Sequence, residues 1–316
     1  MLGRVANNLF WMARHLERVE NNIRLVEVAF RRSLSQSHTS QSDWLDVFSL
    51  VGESSYYSSL DSETDQSIMI NYLLREKRCC SSIITLIYSA RENGRTVRSC
   101  LTREVWQAIN DLWLDLDIVL KRRVNQRDFP HVFTKIRQGI GKIRGALDGT
   151  MLRNDIFNFI LLGLLIERCD NTARILNAKY FLFLPPASVL GSQRGTSQWD
   201  TVLQFLGAMK AYNWLNKGSM KASEILEFII RDERLPRSLH YCYRSIVNQL
   251  ISLETTYEKP NKVRASAEEI LSTTILSKPI NLLPENLNSF LSEFTHRNLA
   301  VSNQLETEFN FNPHSV

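Results

Sequence analysis

The sequence is poor in the residues that break or staple a chain. Its 316 residues include only 12 Gly, 8 Pro and 5 Cys, too little Gly and Pro for a fibrous or low-complexity protein. Cys79 and Cys80 are adjacent, while Cys100, Cys169 and Cys242 stand apart, with no CxxC or Cys/His metal spacing. Reduced thiols are therefore expected, not a disulfide framework. Long apolar runs are missing as well. The most apolar stretch, 157–166, is ten residues long and contains Asn158, whereas a membrane-spanning helix needs about 20. It reads as a buried core helix, and no membrane partner is expected. The first residues lack the basic patch, apolar run and cleavage site of a secretory leader, so a cytoplasmic location is expected. No GxSxG, HExxH, Walker or GxGxxG motif is present. His15, His38, His131, His240, His296 and His314 show no ligand spacing. Neither a cofactor nor a metal is expected.

What is present is an ordinary globular composition, 44% hydrophobic and 22% charged, too apolar for a disordered chain. The length allows one large domain or two of about 150 residues. The net charge of +5 is unevenly placed, because the segment 121–153 holds nine basic residues and two acids. Such a segment attracts polyanions. Its only aromatics are Phe129 and Phe133, and no nucleic-acid motif accompanies it, so a solvated helix face is the preferred reading and nucleic acid is not an expected partner.

Helical periodicity dominates. Leu9, Met12, Leu16, Val19, Ile23, Val26 and Phe30 form a three/four-spaced seam on one helix face. Similar patterns cover about 66–94, 102–120, 131–148, 152–183, 197–212, 221–232, 236–254 and 284–305. Breakers stand between them at Pro130, Pro185, Pro186, Gly191, Gly195, Pro236, Pro260, Pro279 and Pro284. Residues 33–67, rich in Ser and Asp, read as a loop around a short helix beginning near Trp44. The expected fold class is all-α.

The order of residues repeats. The run Leu16-Glu17-Arg18-Val19-Glu20-Asn21 through Arg24 matches Ile166-Glu167-Arg168-Cys169-Asp170-Asn171 through Arg174, at an offset of 150. Ser42-Asp43-Trp44 to Gly52 matches Ser197-Gln198-Trp199 to Gly207, at 155. Tyr72 to Arg78 with Ser82 matches Phe228 to Arg234 with Ser238, at 156. Three blocks in one order predict a helical bundle built from two tandem copies of one unit. The copies would be residues 1–128 and 151–316, joined by a basic helix over 129–150 and forming one body with a pseudo-twofold relation.

Glu17, Asn21 and Arg24 share a face of a helix that is apolar around much of its circumference, which predicts burial. Charges there must be paired, and the spacing supplies pairs: Glu20 with Arg24 and Asp170 with Arg174 lie four residues apart. One reading is a structural network that fixes register between the copies. The other is a charged pocket in which Glu17 and Glu167 accept an ammonium or amide while arginines hold carboxylate or phosphate. The third block offers an anion site at a helix start opened by Pro236, with Arg231, Arg234 and Ser238 and their counterparts Arg75, Arg78 and Ser82; capping and surface pairing explain the same residues. Glu17-x-x-Glu20 has the spacing of bundle di-iron sites, but the arginine beside each acid opposes a dication. Cys169 reads as an inert buried thiol.

The segments Asn8-Leu9-Phe10-Trp11-Met12-Ala13-Arg14-His15-Leu16-Glu17-Arg18-Val19-Glu20-Asn21, Ser89-Ala90-Arg91-Glu92-Asn93 and Ile166 to Arg174 closely resemble the alpha-E family of bacterial proteins. That family is all-helical and named for its Glu-Arg motif. Carried over by position, its motif residues are Glu17, Arg18, Glu20, Asn21, Arg91, Glu92, Asn93, Glu167, Arg168, Asp170 and Asn171. Gly94 follows the middle motif where a helix-favouring residue is commoner, so a bend or end is expected there. Glu92 and Asn93 would add a third acid–Asn pair to the same interior. Genes of the family usually lie beside a circularly permuted ATP-grasp ligase and often beside a transglutaminase-like peptidase. The resemblance thus implies a partner or substrate-holding module, with a peptide or amino-acid ligand, in an ATP-grasp-dependent system that makes or modifies peptides. The alternative is an enzyme of that pathway using Glu17 or Glu167 for acid/base chemistry.

Overall fold

The computed structural model describes residues 1–35, 40–61, 64–181, 193–216, 220–276 and 284–311, all helical or connecting, with no strand among them. The chain divides into two compact units: residues 1–164 with 311–316, and residues 165–310.

The first unit is led by α1 (Gly3–Ser35). Its seven-residue seam is buried throughout, Leu16 being the most open at 6%. Around it stand α2 (Ser40–Val51), α3 (Ser54–Ser58), α4 (Gln66–Arg75), α5 (Ile83–Thr96), α6 (Arg103–Val119) and α7 (Phe129–Thr150). α1 packs on α2, α5 and α7, and α6 packs on both α5 and α7. Side chains fix the starts: Asp65, Ser82 and Thr102 accept the amides of Ser67, Thr85 and Val105 at the heads of α4, α5 and α6, the groups a helix start leaves unpaired. The basic helix α7 belongs to this unit. Its buried stripe is Val132, Phe133, Ile136, Ile140, Ile143 and Leu147.

α8 (Asp155–Phe181) passes from the first unit into the second. In its first half Gly163 admits the α1 backbone, since a Cβ there would run into the carbonyl oxygen of Phe10. The second unit continues through α9 (Gln193–Phe205), α10 (Met209–Asn216), α11 (Ala222–Arg231), α12 (Leu239–Tyr257), α13 (Lys262–Glu269), a π-helical turn at Ile270–Ile275, and α14 (Pro284–Glu308). α11 packs on α10 and α12, and α13 on α12 and α14.

Several elements differ from the periodicity. The pattern over 66–94 is cut at 76–82, where Glu76 turns extended (φ −71°, ψ 114°) and Ser82 caps the next helix; no Gly or Pro marks this break. The pattern over 197–212 is cut at Gly207, which takes a left-handed φ of 65°. Gly195, read as a breaker, lies within α9. α13 falls in a stretch with no assigned pattern. Gly94 does not end α5, which runs on to Thr96: it is buried, and a Cβ there would press on Met12 Sδ at 3.1 Å. Pro236 does not open α12. It sits in the preceding turn, and Ser238 is the cap. Pro185, Pro186, Gly191 and Pro279 lie outside the described residues.

Each unit contains the same turn. In the first, Glu76 N–H donates to Tyr72 O, Arg78 N–H to Glu76 Oε1, and Ser82 N–H to Cys79 O. In the second, Asp232 N–H donates to Phe228 O, Arg234 N–H to Asp232 Oδ1, and Ser238 N–H to Leu235 O. Arg75 Nε reaches Leu120 O at 3.1 Å, and Arg231 Nε reaches Ile275 O at 2.8 Å.

Candidate functional site

The Glu-Arg motif of the first unit lies on α1, on the side turned to α7. Glu17 is 1% exposed and its carboxylate is bridged by the Arg144 guanidinium. The same Arg144 Nη2 reaches Glu20 Oε2 at 2.6 Å, and Glu20 Oε1 takes Arg24 Nη2 at 2.8 Å. Two turns on from Glu20, Glu27 pairs with Arg137 of α7 at 3.3 Å. The result is a ladder in which two arginines of α7 meet the acids of α1. Asn21 is buried at 3% beside it. Arg18 is half-buried.

Arg144 is the partner of the motif's acids that sequence reading missed. Its segment reads as a solvated basic face, yet Arg144 follows Ile143 and lies four residues after Ile140 and three before Leu147, all buried. That spacing places 144 at the edge of the buried stripe, the one signal that would have found it. Of the other basic residues here, Lys135 pairs with Asp115 at 3.3 Å and Arg153 with Asp148 at 2.5 Å, whereas Lys121, Arg122, Arg127 and Lys142 are exposed.

The middle motif is placed differently. Arg91 Nε donates to Asn110 Oδ1 at 2.9 Å, and its guanidinium lies over the rings of Trp106 and Trp113, 5.9 and 5.6 Å from their centroids. Glu92 is clasped by Arg91 at 3.0 Å and Arg95 at 2.6 Å, and all three side chains are at least a quarter exposed. This is a partly wet ion-pair cluster on α5. Asn93 is half-buried.

In the second unit Glu167 and Arg168 are buried, at 5% and 9%. Arg168 Nη1 donates to Pro236 O at 3.3 Å. Thr172 Oγ1 donates to Arg168 O and Arg237 O, both at 3.0 Å. Asp170 and Arg174 pair at 2.6 Å. Asn171 is half-buried. Below this, Asn298 of α14 accepts from Tyr243 Oη at 2.8 Å and Cys169 Sγ at 3.3 Å, and donates to Ile166 O at 3.3 Å. Burial is the main reason that the Cys169 thiol is pushed well above its ordinary pKa, which keeps it protonated and a poor nucleophile.

Most of the residues read as anion ligands are engaged by the protein itself. Ser82 and Ser238 are fully buried caps, and Ser238 also donates to Asp232 O at 2.6 Å. Arg75 is spent on the carbonyls of Leu120 and Lys121. Arg234 forks onto Asp232 at 3.0 and 2.7 Å, and that guanidinium holds the Asp232 carboxyl below its usual range. Arg78 is exposed. Among the described residues no group of three or more His, Cys, Asp or Glu side chains is placed to share a metal ion, and no helix is long and apolar enough to cross a membrane.

A protein-family model described as a predicted alpha-helical domain with a conserved ER motif matches residues 1–309. No curated protein and no solved structure shows significant similarity to the chain.

Proposed function

The chain belongs to the Alpha-E family, and we propose that it works as a non-catalytic helical module that docks a circularly permuted ATP-grasp ligase and holds that ligase's peptide or amino-acid substrate. The observation that carries this reading is how the motif's charges are used. Glu17 has its side chain wholly out of solvent and bridged to Arg144, and Arg168 is spent on a backbone carbonyl. A general acid or base must reach a substrate proton. A carboxylate locked in a buried pair serves instead to fix α1 against α7, leaving the outer surfaces for recognition. A transglutaminase-like peptidase is a further partner on the same reading, and the cytoplasm is the compartment that suits it.

We further propose that the two units are copies of one helical element. The paired turns at 72–82 and 228–238 support this. So do Asn22 Nδ2, which donates to Ser81 O at 2.8 Å, and Thr172 Oγ1, which donates to Arg237 O at 3.0 Å. Asn22 and Thr172 are 150 apart, and each carbonyl belongs to the residue before the capping serine.

The test is light-scattering size-exclusion of the protein alone and mixed with the ATP-grasp ligase of the same genome, with ATP turnover measured on the fractions. A stable complex with altered turnover is expected. Two separate peaks with unchanged turnover overturn the docking reading. A peptide modified by the purified chain alone, in a manner abolished by Glu17→Gln without loss of fold, overturns the non-catalytic one.

A further inference from the structure

The turn that both units contain uses its cations differently in each. In the second unit they are neutralised within the protein: Arg234 forks onto Asp232, and Arg244 Nη1 holds Glu233 at 2.6 Å. In the first unit Glu76 takes only the backbone amide of Arg78, at 3.0 Å. The side chains of Lys77 and Arg78 are exposed and make no hydrogen bond or ion pair with any described residue. Lys121 and Arg122, exposed in the turn that follows α6, are unpaired in the same sense.

The fold brings these two stretches together. Arg75 Nε donates to Leu120 O and its Nη2 to Lys121 O, both at 3.1 Å. Asn71 Nδ2 donates to Val124 O at 3.0 Å, and Val124 N–H donates to Asn71 Oδ1 at 2.8 Å. Residues 120–124 therefore run along α4, and Lys121 lies against the helix end from which Lys77 and Arg78 follow. Arg75 is spent on the carbonyls beyond α6, so the four outer cations are left to solvent. The carboxylates nearest in sequence are Glu76, which accepts the Arg78 amide, and Asp117, exposed on α6.

An apolar ridge leads into this patch. Leu114 and Ile118, four residues apart, share a face of α6 and are 50% and 74% exposed. Ile118 stands one turn before Lys121. Single exposed apolar side chains are ordinary, but two on one helix face running into unpaired cations form a surface with two kinds of complement. Neither 75–82 nor 118–124 contains an aromatic residue on which a base could stack, and a phosphate backbone offers nothing to Leu114 and Ile118.

We propose that this surface docks an acidic amphipathic helix of a partner protein, its carboxylates on Lys77, Arg78, Lys121 and Arg122 and its apolar side chains on Leu114 and Ile118. Charge complementarity sets the sign of the partner, and the apolar pair distinguishes an amphipathic helix from a plain polyanion. The assignment stands whether or not that helix belongs to a ligase.

The test titrates the full-length protein, to about 0.5 mM so that weak docking is visible, into a labelled peptide of two Leu-Ala-Glu-Glu-Leu-Glu-Ala heptads, with fluorescence anisotropy as the readout. The comparison probes are the same peptide with Gln for Glu, the same peptide with Ala for Leu, and an oligothymidylate. The acidic peptide should bind saturably and lose affinity as salt rises, and both peptide analogues should bind more weakly. Lys121→Glu combined with Arg122→Glu, both exposed and unbonded, should weaken binding at least about tenfold. Ile118→Ser should weaken it about fivefold. Arg103→Glu combined with Lys142→Glu makes the same change in net charge on exposed residues away from the patch, and should leave affinity within about twofold. No binding of the acidic peptide, equal binding of either analogue, or an equal loss in the Arg103/Lys142 variant would each overturn the proposal. Tighter binding of the oligothymidylate, lost in the Lys121/Arg122 variant, would overturn it in favour of a nucleic-acid surface.

Discussion

Burying the Glu17 carboxylate is tolerable because a single guanidinium on another helix reaches it and Glu20 together. Arg144→Ala would take from the enclosed Glu17 the guanidinium that reaches it from α7, and breaking a buried pair from one side costs about 3–5 kcal/mol. The Arg144 side chain is 36% exposed, so solvent screening brings the expected loss to about 2–3 kcal/mol, read as a lower urea midpoint at constant m. Adding Glu17→Gln should recover most of that loss, because an amide is cheaper to bury than a carboxylate that has lost a cation; no recovery would mean the pair does not set the cost. Elsewhere single groups set the pH response. The Ser67 amide, with lesser help from its hydroxyl and Arg123, lowers the Asp65 pKa, and Arg234 lowers that of Asp232. For both, the folded value lies below the ordinary 3.8. Their stabilisation is therefore complete above that pH and lost as pH falls through the depressed values. Asp65→Asn, which keeps a capping oxygen, should flatten the acid limb of a stability–pH curve. The thiols divide similarly. Burial and the hydrogen bond to Glu53 push Cys79 up to about 12, whereas Cys80 next to it is exposed. A thiol reagent at pH 8 should label Cys80 at once and Cys79 only on unfolding; rapid double labelling would contradict the placement of Cys79.

Glycine shows how differently one residue type can act along a helix. At Gly163 an added methyl would meet the backbone carbonyl of Phe10, which has nowhere to go. Gly163→Ala should therefore separate α1 from α8 and cost several times what propensity returns. Gly141, Gly145 and Gly149 of α7 have nothing within 4 Å of an added Cβ, so Gly145→Ala should gain up to about 1 kcal/mol from propensity and a less disordered unfolded chain. A thermal melt of the two variants checks both signs. Helices were legible where apolar spacing was regular: α1, α6, α7 and α11 fall within a few residues of their seams. The break at 76–82 was not, because it is made by a serine cap and by Arg75 reaching the Leu120 carbonyl 45 residues away, a partner no local window contains. α13 is eight residues with only Val263 and Ala267 buried, too few apolar positions to set a period. The same reason hid Arg144: its partner lies 127 residues away, while its own neighbourhood reads as surface.

At the scale of the whole chain, burial of the Glu17 and Glu167 carboxylates was legible from the apolar helices that carry them, whereas the partly wet cluster of Glu92 with Arg91 and Arg95 was not. A residue distant in sequence also packs within the first unit. Phe311 belongs to the first unit although it follows nearly all of the second. It is 1% exposed, and its ring meets Phe10 at 5.5 Å and Phe159 at 6.0 Å. Removing a buried phenylalanine costs about 3–5 kcal/mol through lost transfer energy and the cavity left behind. Phe311→Ala should therefore destabilise the first unit, although the substitution lies at the far end of the sequence. Hydrogen exchange gives this a local readout, because amides report the opening of the cooperative unit that contains them. Exchange in α1 around Leu9–Ala13 should accelerate, while amides of α11 and α12 keep their wild-type protection. If both sets accelerate by the same factor, the two units open as one cooperative body. If neither does, Phe311 contributes nothing to the packing of α1.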